Sequence, residues 1–158
     1  MIENYLNILE DSLLKKKDVL RRIQEVNETQ TQILKTEPVD LELFDQGVDE
    51  KDLYIKELTV LDEGFENLYD KVKEELIGNK QKYAKQIQKL QQLISEITDT
   101  SVSIQAQEER NKALVESCFK KERSNLGKSR KNSKAAYGYY QNMSNAGVQE
   151  SFFMDKKK

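Results

Sequence analysis

The segment YAKQIQKLQQLISEITDTSVSIQAQEERNKALVESCF, residues 83–119, carries the most regular apolar pattern of the chain. Its seam positions recur in alternating steps of four and three residues, the spacing of a helix that packs as in a coiled coil. Polar residues occupy part of its second half, which fits either a register marker or an open groove. The seam consists of Tyr83, Ile87, Leu90, Ile94, Ile97, Ser101, Ile104, Glu108, Asn111 and Val115.

The first 36 residues carry a second pattern of this kind. Lys16, Asn27 and Gln30 fall on the same seam, so the stripe is imperfect towards its C-terminal end. The spacing nevertheless predicts a helix over about residues 2–36. Its apolar seam residues are Ile2, Leu6, Leu9, Leu13, Leu20, Ile23 and Leu34.

A third pattern lies between these two and predicts a helix over about residues 40–77. Asp40 is a suitable N-cap, and Gly64 interrupts the pattern at a point where a kink or break is as probable as continuity. Its steps of three or four contain one seven-residue gap. The apolar positions are Phe44, Val48, Ile55, Leu58, Leu61, Phe65, Leu68, Val72 and Leu76.

Two breaks between the patterns set the topology. Pro38, the one proline, disfavours helical torsions in the residue before it, and the sequence GNK at residues 78–80 has a glycine suited to a helix C-terminus. These breaks fold the chain back on itself, with the third helix over about residues 80–119. The sequence therefore predicts an all-α fold, an elongated antiparallel bundle of three long, coiled-coil-like helices in residues 1–119.

Residues 120–158 differ in composition from the rest. They carry ten basic and three acidic residues, whereas residues 37–78 carry four basic and fourteen acidic ones. Gly, Ser, Asn and Lys dominate, so we expect a basic, partly disordered C-terminal tail. Two apolar islands within it are typical of short docking elements. The first contains Tyr137, Tyr139, Tyr140 and Met143, and the second is Phe152, Phe153 and Met154.

The residue types argue against an enzyme. The chain has no histidine and neither GxGxxG nor GxxxxGK[ST], which removes the usual imidazole base and the Gly-rich phosphate loops. Eight acidic residues crowd the stretch from Phe44 to Tyr69, but their spacing does not fit a calcium loop. We interpret this stretch as the solvated face of a helix, and we predict no catalytic site, no metal site and no cofactor.

Location is predicted from what the chain lacks. No basic leader precedes an apolar run at the N-terminus, and no stretch approaches the roughly 20 apolar residues that span a bilayer. The single cysteine, Cys118, fits a reducing compartment. We therefore expect a cytoplasmic protein.

Three segments taken together resemble the FlgN type of flagellar export chaperone, in the form found in clostridial bacteria. They are MIENYLNILEDSLLKKKDVLRRI, FDQGVDEKDLYIKELTVLDEGFENLYDKVKEEL, and SVSIQAQEERNKALVE with the ending SKAAYGYYQNM...SFFMDKKK. The resemblance covers nearly the whole chain in the same order. It implies a cytoplasmic, all-helical chaperone without ATPase activity.

The same resemblance implies partners and a binding surface. The clients would be hook-filament junction proteins, held by their C-terminal helical segments and delivered to the flagellar export gate and its ATPase complex. In this family the client surface lies towards the C-terminal part. By position this nominates Leu114, Val115, Cys118, Phe119, Tyr137, Tyr139, Tyr140 and Met143, with Phe152, Phe153 and Met154 as a second docking element.

Two other classes of function fit parts of the pattern. Sustained heptads suit a structural coiled-coil protein that oligomerises, although the two breaks favour an intramolecular bundle. The basic run of residues 120–134 suits a nucleic-acid-binding adaptor, but the whole chain is acidic and no recognition module surrounds the run, so we predict no nucleic-acid partner. A chaperone for the filament cap protein or for flagellin would meet the same physical demands as one for junction proteins.

Overall fold

A computed structural model describes residues 2–122, which form three helices. Helix α1 spans Ile2–Lys35, α2 spans Leu41–Gly78 and α3 spans Ala84–Glu122. Contacts such as Lys16–Asp62 and Lys51–Asn27 show that α2 runs antiparallel to α1. The contact of Asn27 with Gln107 belongs to a series that sets α3 parallel to α1. The predicted all-α helical bundle is confirmed, with an up-down-up order.

The first turn has the predicted helix end near Pro38 and the predicted N-cap at Asp40. Helix α1 ends at Lys35, and the Glu37–Pro38 peptide bond is cis. Asp40 caps α2, because its carboxylate accepts a hydrogen bond from the Leu43 backbone N–H at 3.1 Å. Each helix boundary at this turn lies one residue from its predicted position.

The second turn is longer than predicted. The Asn79 side chain donates to the Glu75 carbonyl at 2.8 Å, which closes α2, and residues 79–83 form turns before α3 begins at Ala84 instead of residue 80. Helix α3 also continues to Glu122, three residues past the predicted end. Helix α2 runs unbroken through Gly64, beside which an added Cβ would meet open space.

The buried apolar residues form two separate clusters. The large cluster fills most of the bundle length, and inside it the Lys16 ammonium donates to Asp62 Oδ1 at 2.7 Å. The small cluster lies at the end where α1 leads into α2, and it consists of Leu34, Phe44, Val48 and Val115. The large cluster consists of Leu6, Leu9, Leu13, Val19, Leu20, Ile23, Leu58, Phe65, Val72, Leu76, Tyr83, Leu90, Leu93, Ile94, Ile97 and Ile104.

Candidate functional site

A layer of buried polar side chains separates the two clusters. On each helix it lies between the residues of the large cluster and those of the small cluster. On α1, for example, it lies between Ile23 and Leu34. We call this set the polar layer: Asn27, Gln30 and Thr31 of α1, Lys51 of α2, and Glu108 and Asn111 of α3.

Lys51 is the centre of the polar layer. Its side chain is fully buried, and its ammonium donates to Glu108 Oε1 and to Asn27 Oδ1, both at 2.8 Å. Burial lowers the pKa of Lys51, while the charge and the hydrogen bond of Glu108 act in the opposite direction. Lys51 therefore ties all three helices together through one cation.

Amide and hydroxyl groups extend the layer between α1 and α3. The Asn111 amide donates to the Asn27 carbonyl at 3.0 Å, and the Asn27 amide donates to Gln107 Oε1 at 3.3 Å. The Thr31 hydroxyl lies 2.5 Å from Asn111 Oδ1 and 3.0 Å from the Asn27 carbonyl, so its single proton serves one of these acceptors at a time. Such geometry fixes the register of two parallel helices, because a shift of one turn would leave several buried groups unpaired.

Gln30 completes the layer on the α2 side and depends on a glycine. Its amide donates to the Phe44 carbonyl at 3.0 Å. A Cβ atom at Gly47 would lie 2.8 Å from Gln30 Nε2, so only glycine leaves room for this side chain against the α2 backbone. Within the described residues, Gln30 Oε1 is buried without a hydrogen-bond partner.

The nominated client-binding residues of α3 lie beside the polar layer, on the small cluster. Val115 is 2% exposed and Cys118 is also buried, while Leu114 and Phe119 are half-buried against the cluster. The closed bundle thus brings Leu114, Val115 and Phe119 together on the small cluster instead of leaving them as an open surface, and Cys118 is buried about one turn farther along α3. The remaining nominees, Tyr137, Tyr139, Tyr140, Met143, Phe152, Phe153 and Met154, lie outside the described residues.

Sequence reasoning identified part of the polar layer and missed part. Asn27, Gln30, Glu108 and Asn111 were placed on seams by their spacing. Lys51 was missed, although it occupies the middle of the seven-residue gap in the α2 pattern, where a seam position was due. A gap of that length next to a lysine is the signal that would have indicated a buried cation.

The acidic stretch of α2 has no metal-binding geometry. Within residues 2–122, no group of three or more His, Cys, Asp or Glu side chains is placed to hold a metal ion. Two of its carboxylates are not simply solvated: Asp62 pairs with Lys16, and Asp45 is half-buried. Burial, with a smaller contribution from Asp49, raises the pKa of Asp45 to about 6.

No helix in the described part of the chain is long and apolar enough to cross a membrane. No protein-family model, curated protein or solved structure matches the chain. The resemblance to flagellar export chaperones therefore rests on the sequence segments quoted above.

Proposed function

We propose that the chain is a cytoplasmic chaperone of the flagellar type III export pathway. It binds the C-terminal helical segments of hook-filament junction proteins, prevents their premature assembly and delivers them to the export gate. The family resemblance supports this role, and the division of the bundle into two clusters supplies a physical means for it. The division of the buried apolar residues into two clusters is the observation on which the proposal rests.

A protein that holds a client helix needs an apolar surface that can open without unfolding the whole chain. The small cluster meets this need, because within the described chain it consists of four buried apolar residues and is separated from the large cluster by the polar layer. Local opening costs least where few apolar contacts are lost. The end of the bundle can therefore open while the large cluster stays folded.

Opening would expose surfaces suited to an amphipathic helix. Phe44 and Val48 of α2 and Val115 of α3 would face a client stripe that repeats at helical spacing. Half-buried Leu114 and Phe119 lie at the rim, where first contacts form. When the client leaves, the same residues close on one another, so binding is reversible.

The burial of the seams supports this role over oligomerisation. Residues such as Leu9, Leu58 and Ile104 are fully buried within a single chain, whereas a coiled-coil protein that oligomerises through these heptads would leave its seams open to a second copy. One chain thus satisfies the heptad patterns of all three helices.

Calorimetric titration of the full chain with a peptide from the C-terminal helix of a junction protein tests the proposal. We expect saturable binding at one site, weakened at least tenfold, about 1.4 kcal/mol, when residues 120–158 are deleted while the circular dichroism of the helices is kept. Phe119→Ala should weaken binding, whereas Val102→Ala, an exposed apolar residue on the same helix, should not. No binding of any junction-protein peptide to the full chain would refute the export role.

A further inference from the structure

The third face of the bundle, between α2 and α3, is built differently from the other two. The close backbone approaches are those of α1 with α2 and of α1 with α3. Within residues 2–122, two long side chains make a polar contact across the α2–α3 face, Lys51 and Glu108. This face is therefore the one with room for a further chain segment.

Helical register identifies the residues of α2 along this face. Glu57 and Leu61 line a groove with α1, so they mark the α1 side of the helix. Asp45, Asp52 and Thr59 recur every seven residues on the opposite side of the buried stripe, towards α3.

The same argument identifies the residues of α3. Ser103 and Gln107 contact Gln24 and Asn27, which marks the α1 side. Gln105 and Lys112 lie on the other side of the buried stripe. We call the set of Asp45, Asp52, Thr59, Gln105 and Lys112 the α2–α3 seam.

Two buried polar atoms of this seam are unpartnered within residues 2–122. Asp45 Oδ1 needs a donor, and Gln105 Nε2 needs an acceptor. Burial raises the pKa of Asp45, as expected for a carboxylate that has lost water without gaining a donor. Buried polar groups without partners are rare in folded proteins, so the pair indicates that a further hydrogen-bonding segment lies on the seam.

We infer that residues 135–143 of the same chain, AAYGYYQNM, dock along the α2–α3 seam. The tyrosine hydroxyls fit its chemistry, because a phenol donates to a carboxylate and accepts from an amide while its ring packs on apolar surface. Basic residues precede the tyrosines, and acidic residues flank Asp45, so the charges are complementary. The basic residues are Lys128, Arg130, Lys131 and Lys134, and the acidic ones are Asp49 and Asp52.

The end of α3 places this segment within reach. Lys121 Nζ lies 3.3 Å from Glu37 Oε1, so the chain leaves α3 at the end of the bundle where α2 begins. The twelve residues 123–134 span at most about 40 Å, more than the ~17 Å along α2 from Leu41 to Asp52.

The length of the tyrosine segment also matches the distance between the two unpartnered atoms of the seam. Gln105 lies near the level of Tyr54 in the register set by Lys51 and Glu108, about 14 Å along the axis from Asp45. Residues 137–143 cover between about 9 Å as a helix and about 20 Å when extended. The segment can therefore reach both unpartnered atoms. This inference is independent of the export role.

A spin label on the seam tests the inference in the full chain. The label is attached at Asp52→Cys in a Cys118→Ala background, with Glu74→Cys, about 33 Å farther along α2, as the matched control. We expect the amide NMR signals of residues 135–143 to lose more than half their intensity with the first label and to keep it with the second.

Unchanged signals with the label at residue 52, or equal losses from both labels, would overturn the inference. Losses that persist when isotope-labelled chains without a spin label are mixed with separate spin-labelled chains would assign the seam to a second copy instead. A second measurement avoids replacing Cys118: changing Tyr137, Tyr139 and Tyr140 to Ser in the natural chain should shift the amide signals of Asp45 and Gln105 and leave those of residues 84–93 unchanged. No shift at Asp45 and Gln105 would equally overturn it.

Discussion

The two ends of this bundle hold the same three helices together by different means. The large cluster relies on apolar burial along most of the length, whereas the small cluster contributes four buried apolar residues of the described chain and lies behind a layer of paired polar groups. Apolar burial is non-directional and sums over area, while a polar layer stabilises only when every group finds its partner. The difference implies one end that is rigid and one whose stability depends on a few specific contacts.

The largest effect should come from breaking the ion pair that separates the two ends. Glu108→Leu leaves the buried Lys51 ammonium without its carboxylate, and we expect it to lower the free energy of unfolding by about 3–5 kcal/mol in urea denaturation. Replacing both partners, Lys51→Met with Glu108→Leu, should recover most of this loss, because matched apolar groups need no charge compensation.

The control for this prediction is the partly exposed pair Lys17–Glu96, whose Nζ and Oε2 atoms lie 3.2 Å apart between α1 and α3. Glu96→Leu should change the free energy of unfolding by less than about 1 kcal/mol. If Glu108→Leu costs no more than Glu96→Leu, then the polar layer does not divide the bundle.

Matched leucine truncations in the two clusters compare the ends directly. Leu58→Ala in the large cluster should cost about 4 kcal/mol, and Leu34→Ala in the small cluster about 2 kcal/mol, because a site at the end of the bundle can close over the lost volume. Leu34→Ala should also speed hydrogen exchange of amides near residues 31–48 and 111–119 only. Faster exchange throughout the bundle would show that the two ends unfold together.

The sequence predicted the helices well because each carries its own periodic seam. It predicted that Asn27 and Asn111 interrupt the seams, since that follows from spacing alone. It did not predict that Lys51 pairs with Glu108, because the partners are 57 residues apart and meet only once the helices are in register. The burial of Val115 followed from its place on the α3 seam, but its packing against Leu34, Phe44 and Val48 depends on the register of the three helices.

Two glycines inside α2, Gly47 and Gly64, test the packing of the polar layer with smaller changes in stability. Gly47→Ala should destabilise the fold by about 1 kcal/mol, because the new Cβ would displace Gln30 and break its hydrogen bond to Phe44, which outweighs the gain in helix propensity. Gly64→Ala meets open space and should stabilise by about 0.4–1 kcal/mol.

A double variant tests whether the contact with Gln30 is the reason that Gly47→Ala destabilises the fold. In a Gln30→Ala background, Gly47→Ala should no longer destabilise, since the obstructing amide is gone. Persistent destabilisation in that background, measured by thermal and urea unfolding, would place the cause in the α2 backbone instead of in the contact with Gln30.

The last comparison concerns the acidic start of α2, beside the small cluster, where stability depends on pH. The pKa of Asp45 is about 6 in the folded chain and about 4 in an unfolded one, so between pH 4 and pH 6 the folded chain binds more protons. The free energy of unfolding contributed by Asp45 therefore falls as the pH rises through this window. With residues 123–158 deleted, Asp45→Asn removes the effect and should stabilise the fold at pH 7 by about 1 kcal/mol after allowance for solvent screening, and by almost nothing at pH 4. In the full chain, a tyrosine hydroxyl that donates to Asp45 should reduce or reverse this gain at pH 7.

The matched control is Asp99→Asn on exposed α3 surface, for which we expect a change of less than about 0.5 kcal/mol at either pH. Urea denaturation of both variants at pH 4 and pH 7, each in the full and in the shortened chain, gives the comparison. If Asp45→Asn stabilises the fold equally at pH 4 and pH 7, its effect does not come from titration of the Asp45 carboxyl. If it destabilises the full chain at pH 7 but stabilises the shortened one, the Asp45 carboxylate has a donor in residues 123–158 that outweighs its burial.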